Sequence, residues 1–584
     1  MAVVLNYAPG SEGERSVVSS YDGAVSLTTK GFYRLSSNNI LLIDSLLWIL
    51  LGWGLFRAVC RSCFRLDSSS WLALILILSI SLTLFYRSPA DGSTLGISDA
   101  LEYSIGAERL AFHGSYTLPL NGNLLPPRFY PWFSLFVLSP FYILFGEELG
   151  NGGYGILIFS LIGTLGTFLL GFKIGRFWGA VGSSFLFLLL PGVRYFGREM
   201  VTDLPFSVIG VFLSVLYLSI VVEKERECTL PYLASGILIA FSIALRPIGV
   251  CYLIPFFVAL MVSREMVLLK VFGLLIPPAT IIGLNLVYNL KTFGSYLRTG
   301  YNYWAPVPYD YPELLFSIRY LPANLETLSG AILPLIILIS YPVLGKVLER
   351  KGVDGAINTL YLLRSIRFLV LFSSPIFIFH GLYFYSTERF FLPFEVILNA
   401  LAGALLFAFV GGLKDRRNFV LSGLVLLTGI GLWWVIPSKS SISNDREVVR
   451  ELNKILPSGG VVISGINPLY LEYFLRRDGM VKILPISRRV EYASKVLSKN
   501  KIEGLSPAPE GPFDHRALGL LSRDVVEVYP EVAILNPEAY LTPLREGQEV
   551  VLDSSRLNTD EISAVEEHVR LKLIGGELYR LELK

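Results

Sequence analysis

A chain of 584 residues that is 53% hydrophobic, 13% aromatic and only 17% charged is too apolar for a soluble enzyme, whose charged share is nearer ~25%. It reads as an integral membrane protein. The formal net charge of +3, spread over short loops instead of one patch, excludes a nucleic-acid surface, and four cysteines with a lone C-x-x-C at Cys60 and Cys63 make no zinc or disulfide framework.

In chain order, the first 38 residues are polar and lack the basic start and apolar middle of a signal peptide, so the first spanning segment directs insertion. A helix needs about 20 apolar residues to cross the hydrocarbon. Candidate spans lie at 40–58, 71–87, 154–172, 177–192, 206–222, 231–246, 248–263, 267–290, 328–345, 367–386, 391–411 and 419–436. Short cytoplasmic loops collect Lys and Arg. The loops with Arg57/Arg61/Arg65, Lys173/Arg176, Lys224/Arg226, Arg264/Lys270, Lys346/Arg350/Lys351 and Lys414/Arg416/Arg417 share one face if these spans alternate. The stretch PWFSLFVLSPFYILFG, 131–146, must then stay on one side. It is short, carries Pro131 and Pro140, and reads as an interfacial or re-entrant helix. The organisation expected is a polar segment 1–38, a transmembrane region 39–437 with a first outer loop at 88–153, and a soluble extracytoplasmic domain at 438–584.

This parity puts GISDALEYSIGAERLAFHG (96–114), GREMVTDLP (197–205), the 291–327 loop and STERF (386–390) on the extracytoplasmic side. Outer loops should be poor in arginine, yet Arg109, Arg128, Arg194, Arg198, Arg246, Arg298 and Arg389 lie there beside carboxylates. A carboxylate can deprotonate a hydroxyl while arginine forks hold a phosphate-bearing leaving group. The substrate implied is a phosphorylated lipid. Plainer roles stand beside these: Thr202 and Asp203 as a helix cap before Pro205, Arg246 before Pro247 as the mark of a helix hairpin, and Arg389 snorkelling to headgroups. His380 falls inside a span, where polar side chains are costly and often functional; it is either a hydrogen-bonded structural histidine or a neighbour of the headgroup pocket. GYNYWAPVPYDYP, 300–312, is either an interfacial aromatic belt or a sugar-stacking wall.

From Ser438 the texture changes. GGVVISG and MVKILPI read as strands, PLYLEYFLRR and SRRVEYASKVLSKN as helices, and their alternation predicts a small α/β domain. It has no P-loop, nucleophile elbow or G-x-G-x-x-G, so structural or acceptor-positioning duty is expected of it.

Taken in order, SDALEYSIGAERLAFHG, PPRFYPWFSLFV, PGVRYFGREMVTDLPFS, LRP at 245–247, FGSYLRTGY at 293–301 and YSTERFFLPF at 385–394 resemble the signposts of the GT-C membrane glycosyltransferases. The likeness is to the branch with protein O-mannosyltransferases and the lipid A aminoarabinose transferase, over roughly residues 70–436. It implies a fold of about twelve transmembrane helices and transfer, with inversion, of a sugar from a polyprenyl-phosphate (dolichyl- or undecaprenyl-type) donor to an extracytoplasmic acceptor that is protein, lipid or glycan. By the same resemblance, Asp99 is the catalytic base and Asp203 the second-loop acid. Arg128, Arg198, Arg246 and Arg389 bind the donor phosphate, and Glu102, Tyr103, Tyr130, Glu199, Tyr301 and Glu388 line the pocket. The O-mannosyltransferases carry adjacent acids in the first loop, whereas Ala100 follows Asp99 here, which argues against protein mannosylation. No Asp-x-Asp occurs in these loops, and Asp99 with Asp203 would offer a divalent metal only two ligands where it wants several, so metal-independent transfer without a cofactor is expected. The location expected is a prokaryotic plasma membrane, with the lipid-linked donor, the acceptor and membrane lipid as partners and no nucleic acid. A transporter or lipid-linked-sugar flippase is the alternative; it predicts internal repeats and charges near the bilayer midplane. A non-catalytic scaffold is a third, and predicts no effect of neutralising Asp99.

Overall fold

A computed structural model describes residues 66–86, 95, 98–222, 229–263, 267–304, 309, 312–328, 359–412, 442–456, 459–475, 481–485 and 537–584. The spans expected at 40–58 and 419–436, almost all of 328–345, Cys60 and Cys63, and the helix expected at 487–500 lie outside the described residues. Among those described, helices at Ser68–Phe85, Leu149–Leu189, Asp203–Val221 and Leu268–Phe293 are long and apolar enough to cross a membrane, and shorter apolar helices occupy Leu230–Leu245, Pro247–Val262 and Leu392–Phe407. This is a membrane protein.

Helix α1, Ser68–Phe85, starts where the Asp67 carboxylate accepts from the Ser70 amide, satisfying one of the helix's orphan N–H groups. It buries Ser70, Leu74, Ser81 and Phe85 and leaves Trp71, Leu72, Ile75 and Leu76 exposed, a lipid-facing stripe. Helix α2, Ser98–His113, is of another kind, with both acids and apolar residues. The 131–146 stretch forms a π turn at Ser134–Leu138 and a helix at Ser139–Phe145, about 18 Å in all at ~1.5 Å per residue, too short to cross. It is pinned along α2 instead: the Ser134 hydroxyl donates to the Tyr103 carbonyl (2.8 Å) and the Ser139 hydroxyl to that of Ala107 (3.0 Å).

Between α2 and that stretch, β1 (Leu118–Leu120) and β2 (Asn123–Leu125) pair as an antiparallel hairpin. Asn121 (φ 48°) and Gly122 (φ 78°) make its turn, the left-handed pair that two-residue hairpins require.

Helix α3, Gly153–Leu189, is broken at Gly175 and Arg176 (φ 53°). The chain reverses there, since a Cβ on Gly171 would strike the Gly179 carbonyl and Ser183; the two arms correspond to the expected spans 154–172 and 177–192. Then come α4 (Asp203–Val221), α5 (Leu230–Leu245), α6 (Leu268–Phe293), α7 (Thr359–Gly381) and α8 (Leu392–Gly412). Gly182 on α3 and Gly403 on α8 meet backbone to backbone, the small-residue contact by which apolar helices approach closely without a hydrophobic drive from water.

Near the C-terminus, β3 (Gly460–Ser464), helix α9 (Pro468–Leu475), β4 (Val481–Pro485), β5 (Val550–Asp553), β6 (Val569–Gly575) and β7 (Leu578–Leu583) build one five-stranded sheet in the order β4-β3-β5-β7-β6. β3 runs parallel to β4 and β5, while β5–β7 and β7–β6 are antiparallel. Val461, Ile463, Val550, Leu552 and Tyr540 form its core. The β1–β2 hairpin holds this sheet at its β4 edge: the Asn121 side chain donates to the Ile483 carbonyl (3.1 Å) and accepts from the Ile483 amide (2.8 Å).

Candidate active site

Asp99 lies in the first turn of α2 and Glu102 one turn on, so both carboxylates leave the same face. That face meets the segment carrying Arg128. The Arg128 amide donates to Glu102 Oε2 (3.2 Å) and its Nε to Glu102 Oε1 (2.6 Å), while Nη2 reaches Asp99 Oδ1 at 3.0 Å. The other Asp99 oxygen accepts from Arg389 Nη1 at 2.7 Å, across 290 residues of sequence. Asp99 therefore bridges two guanidiniums while only 8% exposed.

A second pair lies alongside. Asp203, 1% exposed, opens α4, and Arg246 ends α5 as an extended residue before Pro247, the conformation that a following proline favours. Arg246 Nη2 is 2.6 Å from Asp203 Oδ1, and its Nε donates to the Thr202 hydroxyl at 2.9 Å. The helix-cap reading of Thr202 and Asp203 is thus corrected: no side chain caps α4 there, because both are turned to Arg246. Arg246 does mark a turn of the chain, since α5 ends at it and a 3-10 turn follows from Pro247, and it is ion-paired as well; the snorkelling reading of Arg389 gives way to its ion pair with Asp99. Phe390 joins the halves, with the guanidinium carbons of Arg246 and Arg389 at 5.6 and 5.4 Å from its ring centroid, and on the same ring His380 stacks at 5.0 Å.

An aromatic wall adjoins the cluster. Arg128 lies over Phe129 (5.1 Å), Tyr103 stacks on Phe129 (4.3 Å), Tyr301 meets its edge (5.7 Å), and Tyr309 lies against Tyr301 (4.8 Å).

The charges balance, three carboxylates against three guanidiniums, but they are not equivalent. Burial alone would raise the Asp99 carboxyl; Arg128 and Arg389 outweigh it and hold Asp99 below the ordinary carboxylate range. Burial dominates at Glu102 and lifts it above its ordinary value, against the pull of Arg128. Burial disfavours the charge on Arg389, yet Asp203 and Asp99 outweigh it and raise its pKa, which ties the two halves into one electrostatic unit. Burial opposes the Arg128 charge too, and Glu102 and Asp99 overcome it. Arginines this firmly charged, with carboxylates that could be exchanged for an incoming anion, suit a phosphate. Among the described residues no three His, Cys, Asp or Glu side chains group as metal ligands.

Asp99, Glu102, Arg128, Asp203, Arg246 and Arg389 therefore come together with Tyr103 and Tyr301. The other expected residues lie as follows. Arg198 donates to the Leu84 carbonyl at the end of α1 (2.9 Å), and Glu199 is buried beside it in sequence. The Tyr130 hydroxyl accepts from Asn289 on α6 (3.0 Å). Glu388, half-buried, opens the turn that presents Arg389. Thr202 and Phe390 were not expected in the site. Thr202 carries a signal in its place beside an acid that ends a loop, whereas Phe390 in ERFF reads as one more lipid-facing ring.

No protein-family model matches the chain, and no curated protein matches it by sequence. Solved structures do. ArnT from Cupriavidus metallidurans bound to undecaprenyl phosphate superposes with a TM-score of 0.55 at 12% identity, covering 88% of this chain and 98% of that one. The Archaeoglobus fulgidus oligosaccharyltransferase AglB, in complex with an inhibitory peptide and a dolichol-phosphate, gives a TM-score of 0.39 at 13% identity over 85% of this chain and 70% of that one. The first of these carries the comparison, and at its identity what it shows is a shared fold.

Proposed function

We propose, with the GT-C membrane glycosyltransferase fold as the premise, that this chain moves a sugar from a polyprenyl-phosphate carrier to an acceptor on the extracytoplasmic side of the membrane. The observation that carries the reading is the Asp99 carboxylate bridged between Arg128 and Arg389. The undecaprenyl phosphate of the ArnT structure is a ligand of the kind such a site would accept.

In the resting protein Asp99 fills the place of an anion. A donor phosphate exchanges for it on the arginines, drawing Arg389 and Arg128 off the carboxylate. Asp99, no longer held down by both cations, then rises toward a basicity that suits a general base. It takes the proton from an acceptor hydroxyl or amine as that atom bonds to the sugar's anomeric carbon. The anomeric carbon–oxygen bond to phosphate breaks on the opposite face, so the configuration inverts. The electron pair leaves with the polyprenyl phosphate, whose charge Arg389, Arg128 and Arg246 stabilise. Asp203 keeps Arg246 in place, and the ring wall of Tyr103, Phe129 and Tyr301 faces the sugar. The same reading sets the five-stranded sheet on the extracytoplasmic side, held by Asn121 near the acceptor's approach.

The test is turnover. Purified protein in nanodiscs is offered a panel of radiolabelled undecaprenyl-phosphate sugars, and wild type is compared with Asp99→Asn. Loss of a positioned base slows transfer by roughly 10²–10⁴. Turnover of no donor, or equal turnover by both proteins, would sink the reading.

A further inference from the structure

His380 is a polar ring with no role in the mechanism above. It occupies the last turn of α7, where Asn324 fixes the backbone by donating to the carbonyls of His380 (3.1 Å), Gly381 (3.0 Å) and Tyr383 (2.8 Å). Its ring is held by aromatic neighbours: parallel to Phe390 (5.0 Å, 15°), perpendicular to Phe379 (5.7 Å) and edge-on to Phe391 (6.3 Å). Only 5% of the residue is exposed. Neither ring nitrogen has a hydrogen-bond partner among the described residues, although an imidazole always carries at least one N–H to donate. Leaving a buried donor unmet costs stability, and a phenylalanine would fill the same aromatic cage without that cost. The ring with which His380 stacks is also the one that Arg246 and Arg389 face, which sets the unmet donor one ring away from two of the arginines assigned to the donor phosphate.

We infer that His380 is a ligand-contacting residue of this pocket, donating its ring N–H to a phosphate oxygen of the lipid-linked donor beside Arg246 and Arg389. The inference rests on the proposed function, and it adds a neutral donor to a cationic set. Two guanidiniums supply charge. One imidazole held by stacking supplies direction, because its N–H cannot swing as a long side chain can.

His380→Phe keeps the stack on Phe390 and removes the donor, whereas His380→Gln restores an N–H. Each is purified with wild type into nanodiscs, and thermal melting is followed without ligand and with undecaprenyl phosphate, phosphatidylglycerol or inorganic phosphate. The expected result is that ligand-free His380→Phe melts at or above wild type, since an unmet buried donor has gone. Its affinity for undecaprenyl phosphate falls about tenfold or more, the scale of one hydrogen bond to a charged group, and His380→Gln stays within about threefold of wild type. Phosphatidylglycerol and inorganic phosphate show no His380-dependent shift. Unchanged affinity in His380→Phe, ligand-free melting well below wild type, or the same His380 dependence for all three probes would each overturn the inference. Should wild type bind undecaprenyl phosphate, and Arg389→Gln lose it while His380→Phe does not, this inference alone fails; a wild type that binds none of the probes overturns the proposed function with it.

Discussion

The Asp203–Arg246 pair allows the sharpest arithmetic. Its closest approach is 2.6 Å, with the Asp203 side chain fully buried and that of Arg246 14% exposed. At an effective dielectric near 20, unit charges ~4 Å apart attract by about 4 kcal/mol, and removing one partner of a buried pair typically costs 3–5 kcal/mol, because the other charge is left uncompensated. Asp203→Asn and Arg246→Met should therefore each lose about 3 kcal/mol or more on that scale. Arg246→Met also gives up the Thr202 contact and the Phe390 face, so it should be the worse of the two. The double variant carries no orphaned charge, and its loss should fall short of the summed single losses by about 2 kcal/mol or more. Equilibrium unfolding in mixed micelles measures all four proteins. Losses that add to within ~0.5 kcal/mol, as for independent sites, would refute the coupling.

Four further outcomes follow from the structure. The folded Asp99 lies below its unfolded value near ~3.9, so its share of stability is complete above that pH and is lost as pH falls through the folded value; melting against pH should show this slope in wild type, and Asp99→Asn should lack it. Glu102 is raised and acts in the opposite sense, favouring the fold below its unfolded value near ~4.3 and losing that contribution as pH rises through the folded one, a slope that Glu102→Gln should abolish. A Cβ at Gly300 would come within 2.5 Å of the Arg128 carbonyl and 2.6 Å of that of Pro127, so Gly300→Ala should displace the Arg128 segment and raise KM for donor severalfold, whereas Gly283→Ala, which meets nothing within 4 Å, should leave kinetics unchanged. Asn121→Ala removes two hydrogen bonds to β4, each worth about 1 kcal/mol, and should speed proteolysis between β4 and the membrane region; protection equal to wild type would count against the hairpin as the clasp.

The membrane helices were legible because lipid leaves little choice: an apolar run long enough to cross must be helical to satisfy its own backbone. The expected spans at 71–87, 206–222, 231–246 and 267–290 accordingly fall on α1, α4, α5 and α6 within a few residues. The clustering of acids and arginines could be suspected from the common side that the sequence predicts for them, but their pairing could not. Nothing in the spacing of Asp99 and Arg389 says that they touch, since a contact across 290 residues is made by helix packing, including the glycine contact of Gly182 with Gly403. Asn121-Gly122 between apolar pairs was a readable hairpin signal, yet its grip on Ile483 needed the fold. His380 divided two readings in the sequence because burial alone does not tell a satisfied ring from one without a partner.

In the proposed function, Asp99, Arg128, Arg246 and Arg389 together receive the carrier phosphate. A nanodisc structure determined with undecaprenyl phosphate measures this directly. Phosphate oxygens are expected within ~3 Å of Arg389 or Arg128 nitrogens, hydrogen-bond distance, with the Asp99 bridge opened. A phosphate seated at the opposite end of the helices, near Lys173 and Arg176, with Asp99 still clasped by both arginines, would contradict it.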